Sequence, residues 1–567
     1  MATPHSHLAL PHQPVTSTDL MGEDPSGLVY PLEDEKNLKQ EGNVRVEPAQ
    51  QLTTRESEYP VVGKWELFAY YCYNNGANGI GPNGYSATQL QNVLTQAGYE
   101  KSLGVGAACA LTSATCMVPW AGGYSSVSQI VLIASGLGFM CMTLIFITIG
   151  SSADYDNFAR WLLMGLTVIC WGCQFGFLGV KTGDQWQLAL GLYIISFVTW
   201  GAILVFYGAQ HPVLARHTQK AKDIRAKYEA GDLNEDEYAM EEMLERSNIM
   251  TIAEAHSNWG YLLAPVLSLS VQLPLASSNL VNNYVIAIVT AWWVALGLPW
   301  FFMQKNRPGP PMPPKTNHFT LGFIQIYQAC KQVRQIPYTF LYLVSFFFLA
   351  DGLNTTGSIV SICQNDVIDF SFLDSTYLNI VQAVCSLLSI YFLWWLQLRY
   401  KIHTKWMFAI NCAWAIIIPF WGMIGMWTDK IGFHHVWEFW LWNVIFGLTQ
   451  ASYYNYSFVV MGDLCPPGFE GMFFGIFGLS NRASSIIGPN VTQKIISHTG
   501  VNQSGFAFCF ALVCASTLIF YWFVDYNRGI EDAVAWSKAK RGEQAAGAAL
   551  RAELSSPANE ENIEHIL

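Results

Sequence analysis

Between Glu470 and Pro489 the chain reads EGMFFGIFGLSNRASSIIGP, and Arg482 stands in the middle of a stretch otherwise apolar enough to cross a bilayer. An ionisable side chain at that depth costs about 3 kcal/mol on insertion scales, so it faces a protein interior or a water-filled cavity and marks a functional path. Its planar fork of donors matches a carboxylate. A second apolar stretch, FLYLVSFFFLADGLNTTGSIV, carries Asp351, then Gly352, Asn354, Thr355 and Thr356. A carboxylate beside a helix-loosening glycine suits a substrate or proton site, and the competing reading is a structural polar contact between helices. A third stretch holds Gln450, Ser452, Tyr453, Tyr454, Asn455 and Tyr456, of which Gln450 and Tyr454 are the candidates to line a cavity. Ser484 and Ser485 adjoin Arg482 just before the helix-bending Gly488 and Pro489. Arg482 therefore has two possible roles at this stage: clamp of a substrate carboxylate, or counter-ion of Asp351.

Holding such side chains at membrane depth requires spans. Of 567 residues 52% are apolar, 14% aromatic and only 13% charged, the mix of a polytopic membrane protein. The net charge of −11 belongs to residues 1–59, 211–254 and the tail after Asp525, and implies no nucleic-acid partner. At about 1.5 Å rise per residue, roughly 20 apolar residues cross the hydrocarbon core. By that ruler spans fall near Lys64 to Gln91, Ser125 to Gly150, Arg160 to Val180, Trp186 to Gly208, Ala255 to Leu275 and Val285 to Phe302. Six more fall near Pro337 to Ser358, Tyr377 to Leu398, Trp406 to Thr428, Trp437 to Met461, Met472 to Ile496 and Gly505 to Val524. The fold class expected is an all-α polytopic membrane protein of twelve helices in two six-helix halves. The first span is interrupted by Asn74, Asn75, Asn78, Asn83 and several glycines, a break tolerated only where other protein or a cavity satisfies the freed backbone.

The connections divide the chain further. Residues 1–60 form an N-terminal segment rich in Pro, Ser and Glu without an apolar core, expected to be disordered and to carry no cleaved leader. Helices one to four occupy 61–210, a charged loop 211–254, helices five and six 255–304, helices seven to twelve 337–525, and a polar tail 526–567. Between the halves the proline-rich MQKNRPGPPMPPKTNH follows Phe302, and within 305–336 the run Phe319 to Ile336 reads either as an amphipathic helix on the membrane interface or as a plain surface linker. Arg160, the basic residues from Arg216 to Arg246, those from Lys305 to Arg334, and Arg399, Lys401 and Lys405 share one side, which places that side and both termini in the cytosol.

Other possible chemistry is thin. Cys170 and Cys173 form a CxxC inside an apolar span with no basic residue beside it, which favours packing over redox work. Cys109 and Cys116 could pair in the first external loop, depending on compartment. His434 and His435 lie in another external loop beside Trp437, where an interfacial role outweighs metal binding. Neither a nucleophile elbow, a Walker loop nor a zinc motif occurs, so neither an enzyme nor any cofactor or metal is expected. Asn502-Gln-Ser504 is a candidate glycosylation sequon.

Gly150-Ser-Ser-Ala-Asp154-Tyr-Asp-Asn-Phe-Ala-Arg160 resembles the loop signature of the major facilitator superfamily, in which an aspartate and a basic group latch the two halves. The resemblance implies that Gly150, Asp154 and Arg160 form a conformational gate, although Tyr155 replaces the basic residue that normally follows the aspartate. Asp463-Leu-Cys-Pro-Pro-Gly468-Phe-Glu470, Phe473-Phe474-Gly475, Ser484-Ser485-Ile-Ile-Gly488-Pro489, Asp351-Gly-Leu-Asn354-Thr355-Thr356 and Ser257-Asn-Trp-Gly260-Tyr261 look like the autophagy-related protein twenty-two family of fungal vacuolar transporters. That family usually has a lysine where Arg482 stands. The first helix lines the cavity in such transporters, which adds Asn74 and Asn75 to the candidate substrate residues. The family resemblance implies export of neutral and branched amino acids such as leucine, isoleucine and tyrosine from the vacuole lumen to the cytosol, by alternating access, with protons as a candidate coupling ion and lipids as surroundings. The departure in helix one, Tyr70-Tyr71-Cys-Tyr-Asn-Asn, leaves open a divergent carrier of another small solute, and a receptor or adaptor with a transporter-like fold is the reading from another class.

Overall fold

The computed structural model describes residues 59–101, 107, 109, 116–275, 278, 280–312, 316–367 and 372–554, so the expectation of disorder for 1–58 and for the end of the tail falls outside the described residues. The first membrane pass is α1 (Lys64–Gly76), a π-helical turn (Ile80–Tyr85) and α2 (Ser86–Ala97). Three further passes follow: α3 (Val127–Ile149), α4 (Phe158–Gly176) and α5 (Trp186–Gly208). Short α6 (Gln210–Arg216) and α7 (Gln219–Glu229) then lead into α8 (Glu235–Gln272), and α9 (Val281–Met303) closes the first half. Helix α10 (His318–Lys331) bridges to the second half, built of α11 (Pro337–Val367), α12 (Phe372–Tyr400), α13 (Thr404–Ile424), α14 (Val436–Leu464), α15 (Glu470–Thr499) and α16 (Gly505–Leu518). The tail begins as α17 (Tyr526–Leu554).

Among the described residues eight helices are long and apolar enough to cross a membrane: α3, α4, α5, α9, α11, α12, α13 and α16 with its flanking turns. The four other spans expected from the sequence, the broken α1/α2, α8, α14 and α15, fall short of that measure. Polar side chains such as Asn74, Asn75, Asn455 and Arg482 dilute their hydropathy.

The break in the first pass is chemically closed. Gly79 takes a left-handed φ of 87°, and a Cβ there would lie 2.2 Å from the Trp200 ring. The Asn78 amide donates to the Asn75 carbonyl (2.9 Å) and its oxygen accepts from the Ile80 N–H (3.0 Å), replacing bonds the helix loses. The first pass therefore continues to Ala97, beyond the expected end at Gln91.

The charged segment 211–254 is not a loop. Asn234 and Glu237 form a capping box, and from there α8 runs unbroken through 38 residues, about 57 Å, so the fifth pass begins well before Ala255. The bridging helix ends at Lys331 rather than Ile336. It lies flat against α3: a Cβ on Gly322 would sit 2.3 Å from the Thr148 carbonyl, and the Ser152 hydroxyl donates to the His318 carbonyl (2.6 Å). Phe319, Phe323, Ile324 and Tyr327 are left exposed on its other face, the amphipathic arrangement of an interfacial helix.

Two seams join the halves, α3 against α15 and α8 against α12 and α14. At one end of the molecule lie the α4 start, the α14–α15 loop and α17. At the other lies an antiparallel three-stranded sheet, β1 (Tyr99–Glu100), β2 (Cys116–Trp120) and β3 (Gly123–Ser126), with a Cys109–Cys116 disulfide. His434 and His435 also sit at that end, where their backbone N–H groups (2.7 and 2.9 Å) cap the buried Glu438 carboxylate. Cys170 is buried with its thiol on the Ser196 carbonyl and is not bonded to Cys173.

Candidate functional site

The end opposite the sheet is latched. Asp154, in a 3-10 turn after α3, accepts the N–H groups of Gly471 (2.5 Å) and Met472 (2.9 Å), capping α15 from across the interface. An anion at a helix N-terminus meets free donors and the positive end of the helix dipole. The turn reaches them because Gly150 and Gly471 are small: a Cβ on Gly471 would lie 2.8 Å from the Gly150 carbonyl and 2.9 Å from Asp154 Oδ1. Arg216 of α6 pairs with Glu470, the first residue of α15, with both side chains buried. Arg246 of α8 donates to Asp463 at the end of α14 (2.5 Å), and the Tyr526 hydroxyl of α17 holds the other Asp463 oxygen (2.5 Å).

Of the three expected gate residues, Gly150 and Asp154 meet at this latch and Arg160 does not. On the first turn of α4, Arg160 donates to the Phe301 carbonyl near the end of α9 (2.6 Å), within its own half. Free carbonyls at a helix C-terminus attract a guanidinium for the same reason that Asp154 attracts amides. The basic members of the latch are Arg216 and Arg246. They lie in the 211–254 segment, whose helical structure was hidden by its charge.

Bonds between the halves continue inward through Ser247 to Gln397 (2.7 Å) and Asn455 to Thr251 (2.8 Å), up to Trp259 and the Tyr391 hydroxyl (3.0 Å). Arg482 lies at about this depth, twelve residues or roughly 18 Å along α15 from Glu470. Its guanidinium carbon is 5.6 Å from the centre of the Phe139 ring on α3, and a Cβ on Gly201 of α5 would sit 3.6 Å from one of its nitrogens. So a second-half cation faces first-half helices. It makes no ion pair among the described residues, and the Tyr454 hydroxyl of α14 is the charge-sensitive group within its electrostatic range.

Asp351 is not its partner. The carboxylate is almost fully buried between α11 and α15, accepting the Gly488 N–H (3.0 Å) and lying beside the Thr355 hydroxyl (3.2 Å). A Cβ on Gly488 would be 1.9 Å from Thr355 Oγ1 and 2.2 Å from Asp351 Oδ1, and Pro489 bends the helix at that point. Asp351 therefore fills a pocket one helix turn or more beyond Arg482.

The other candidates divide by whether their polar groups are already used. Gln450 accepts from Gln382 (2.7 Å) in the α12–α14 seam. Asn354 donates to Ser485 Oγ (3.1 Å), while Ser484 and Ser485 turn back onto the Asn481 carbonyl (2.7 and 3.2 Å). Asn75 accepts the Trp292 indole N–H (3.1 Å), and Asn74 donates to the Ala253 carbonyl (2.9 Å) across the α1–α8 crossing. That crossing is tight, since a Cβ on Gly260 would lie 1.9 Å from the Asn75 carbonyl oxygen. Asn502 is half-buried in a turn at the sheet end.

One residue of the cluster escaped the sequence reading. Glu254 of α8 is half-buried, next to Ala253, whose carbonyl takes the Asn74 amide of the first half (2.9 Å), and one turn beyond Thr251, which Asn455 of the second half bonds (2.8 Å). Tyr70 and Tyr207 stack at 4.3 Å and exchange hydroxyl-to-carbonyl hydrogen bonds (3.3 and 3.0 Å), which makes a rigid wall next to it. The usable signal was the apolar run Ile249-Met-Thr-Ile-Ala253, which already belongs to the membrane pass that Glu254 interrupts.

A family model described as "Vacuole effluxer Atg22 like" matches residues 62–534. Curated relatives include autophagy-related protein 22 of Neurospora crassa, 22% identical over 73% of this chain and 63% of that protein, so the match spans a little under two thirds of its length. Autophagy-related protein 22-2 of Emericella nidulans is 22% identical over 86% of this chain and 94% of its own. Solved structures with the same fold include the human organic anion transporter MFSD10 (TM-score 0.50, 12% identity, 83% of this chain and 100% of that one). A bacterial homologue of the iron transporter ferroportin in its outward-facing state is another (TM-score 0.51, 11% identity, 80% and 97%). The chain therefore shares its fold with these two transporters, and by the family model that spans most of its length it belongs to the vacuole effluxer Atg22-like family.

Proposed function

We propose that this chain exports neutral α-amino acids, leucine, isoleucine and tyrosine among them, from a vacuole lumen to the cytosol by alternating access. In this reading the latched end and both termini face the cytosol, as the basic loops require, and the disulfide-bearing sheet lies in the lumen. The observation that carries it is Arg482: a cation at mid-depth, on the face one half turns to the other, without an ionic partner among the described residues. Such a charge is tolerated where water and a substrate anion reach it. Rocking of the halves about that level would break the latch and open the opposite side. Protons are the proposed coupling ion, with Asp351 as carrier.

The test is counterflow of radiolabelled leucine into proteoliposomes holding the purified protein. Leucine accumulation above that in empty vesicles, abolished in Arg482→Gln, supports the reading. Equal accumulation in the presence and absence of the protein refutes it. Asp351→Asn should keep counterflow while losing the response to an imposed pH gradient; full retention of that response would remove Asp351 from the coupling.

A further inference from the structure

Resting on the amino-acid reading above, we propose that Glu254 is the group that binds the substrate's ammonium, so that the site selects molecules bearing a free amino group as well as a carboxylate. Glu254 stands on α8 of the first half and Arg482 on α15 of the second. Neither carries an ion pair among the described residues, and both flank the Tyr454 turn of α14: Asn455 bonds Thr251, one turn of α8 before Glu254 (2.8 Å), and Phe458, one turn beyond Tyr454, packs on Phe477 of α15 ahead of Arg482 (ring centres 5.2 Å apart). Two opposite charges held at mid-membrane on facing halves would ordinarily collapse onto each other, since each is expensive alone and cheap as a pair. Here each is held among its own neighbours, Arg482 over the Phe139 ring. Asn74, which fixes α1 to α8 through the Ala253 carbonyl (2.9 Å), lies alongside the Glu254 carboxylate, and the stacked Tyr70 and Tyr207 back it.

A ligand carrying both charges on adjacent groups completes this arrangement. The backbone end of an α-amino acid has its ammonium and carboxylate on one carbon, so it can bridge an acid and a base that face each other across a cleft. Tyr454, with a hydroxyl that makes no hydrogen bond among the described residues, is placed to donate to the same carboxylate as Arg482. Closing the halves onto the zwitterion neutralises both buried charges in one step. Binding is thereby tied to the conformational change, because the acid and the base belong to different halves. A substrate with only one of the charges leaves the other uncompensated and gains little from closure.

The experiment is competition against radiolabelled leucine counterflow in proteoliposomes, with leucine, 4-methylpentanoate (leucine without its amino group) and 3-methylbutylamine (leucine without its carboxylate). In the unmodified protein leucine should compete at least about tenfold more strongly than either analogue, the worth of one charge-assisted bond. In Glu254→Gln the advantage over 4-methylpentanoate should vanish while 4-methylpentanoate itself competes as before; in Arg482→Gln, whose counterflow is lost, the shift of the melting temperature should no longer distinguish leucine from 3-methylbutylamine. Because each readout is a ratio within one variant, expression level does not move it. For a variant too slow to assay, the same three compounds are compared by ligand-induced shift of the melting temperature. A Glu254→Gln protein that keeps its preference for leucine over 4-methylpentanoate overturns the assignment, as does one that loses only its response to a pH gradient. Absence of leucine counterflow in the unmodified protein would instead overturn the amino-acid reading beneath it.

Discussion

Removing the Asp154 carboxylate should unlatch the transporter. In the latched state it accepts two N–H groups of the opposite half, at 2.5 and 2.9 Å, and no other described side chain takes those donors. A hydrogen bond to a charged group contributes about 1.5–3 kcal/mol, but the donors are rehydrated when the halves part, so the pair together favours the latched state by roughly 2–3 kcal/mol. At about 1.4 kcal/mol per factor of ten, Asp154→Ala should raise the ratio of unlatched to latched molecules by roughly 30- to 150-fold. Asp154→Asn keeps one acceptor and loses the charge, and should move it roughly tenfold. Spin labels at Trp161, in the first turn of α4, and at Tyr400, the last residue of α12, report on the separation, because both are well exposed and lie at the latched end of opposite halves. The distance distribution should gain a longer component in the order Asp154, Asn, Ala. Identical distributions in all three proteins would show that the α15 cap is local helix chemistry with no part in holding the halves together.

Other perturbations follow from the same contacts. Arg482→Ala should abolish leucine counterflow yet leave the melting temperature equal or higher, because a mid-membrane cation without an ionic partner is a cost of about 3 kcal/mol and its removal gives up only the contact with the Phe139 ring, worth about 0.5–2 kcal/mol; a marked fall in melting temperature would mean the guanidinium is structural. Arg216→Ala leaves Glu470 buried without its cation and should lower stability by roughly 3–5 kcal/mol, read as a fall in melting temperature that Arg216→Ala with Glu470→Ala partly restores. Gly488→Ala drives a methyl to within 1.9 Å of Thr355 Oγ1 and should cost roughly 1–3 kcal/mol by overpacking, with wild-type stability as the refuting result.

Much of the architecture was legible because membrane insertion leaves a coarse signature. A segment such as Val127–Ile149 is apolar on all sides, and only a helix hides its backbone in lipid. The signal weakens where a helix faces protein and cleft instead of lipid. For α8 the charges of Glu241, Glu242, Glu245 and Arg246 read as a solvated loop, yet three of the four are largely buried and Arg246 is spoken for by Asp463, 217 residues away in sequence. Composition cannot reveal that pairing, since it depends on where a distant helix ends. The site was half legible for the same reason. Arg482 and Asp351 stand out as charges in apolar runs, but which charge faces which is fixed by helix rotation and by glycines such as Gly488, whose small size lets Asp351 reach a backbone N–H and so dispense with an arginine.

The placement of charges separates the two layers of the molecule by a physical criterion. At the latch the three acids that bond across the halves each have matched donors: Asp154 two amides, Glu470 an arginine, Asp463 an arginine and a tyrosine. Such pairs lose little when water reaches them, because hydration replaces each partner, so this end can open at modest cost. At mid-depth Glu254 and Arg482 are held in opposite halves without an ion pair among the described residues, with no bulk water guaranteed once the halves close. Closure without cargo would strand both charges in a low-dielectric interior, which is far more costly than closure around a molecule that neutralises them. On the proposed function the empty carrier is thereby discouraged from cycling, the asymmetry that export without leak needs. The consequence is measurable: neutralising both residues at once, Glu254→Gln with Arg482→Gln, should let the halves exchange freely without substrate. The Trp161–Tyr400 label distances should then populate both states in the absence of leucine and ignore its addition. If the doubly neutral protein still shifts its distances on adding leucine, the two charges do not govern closure.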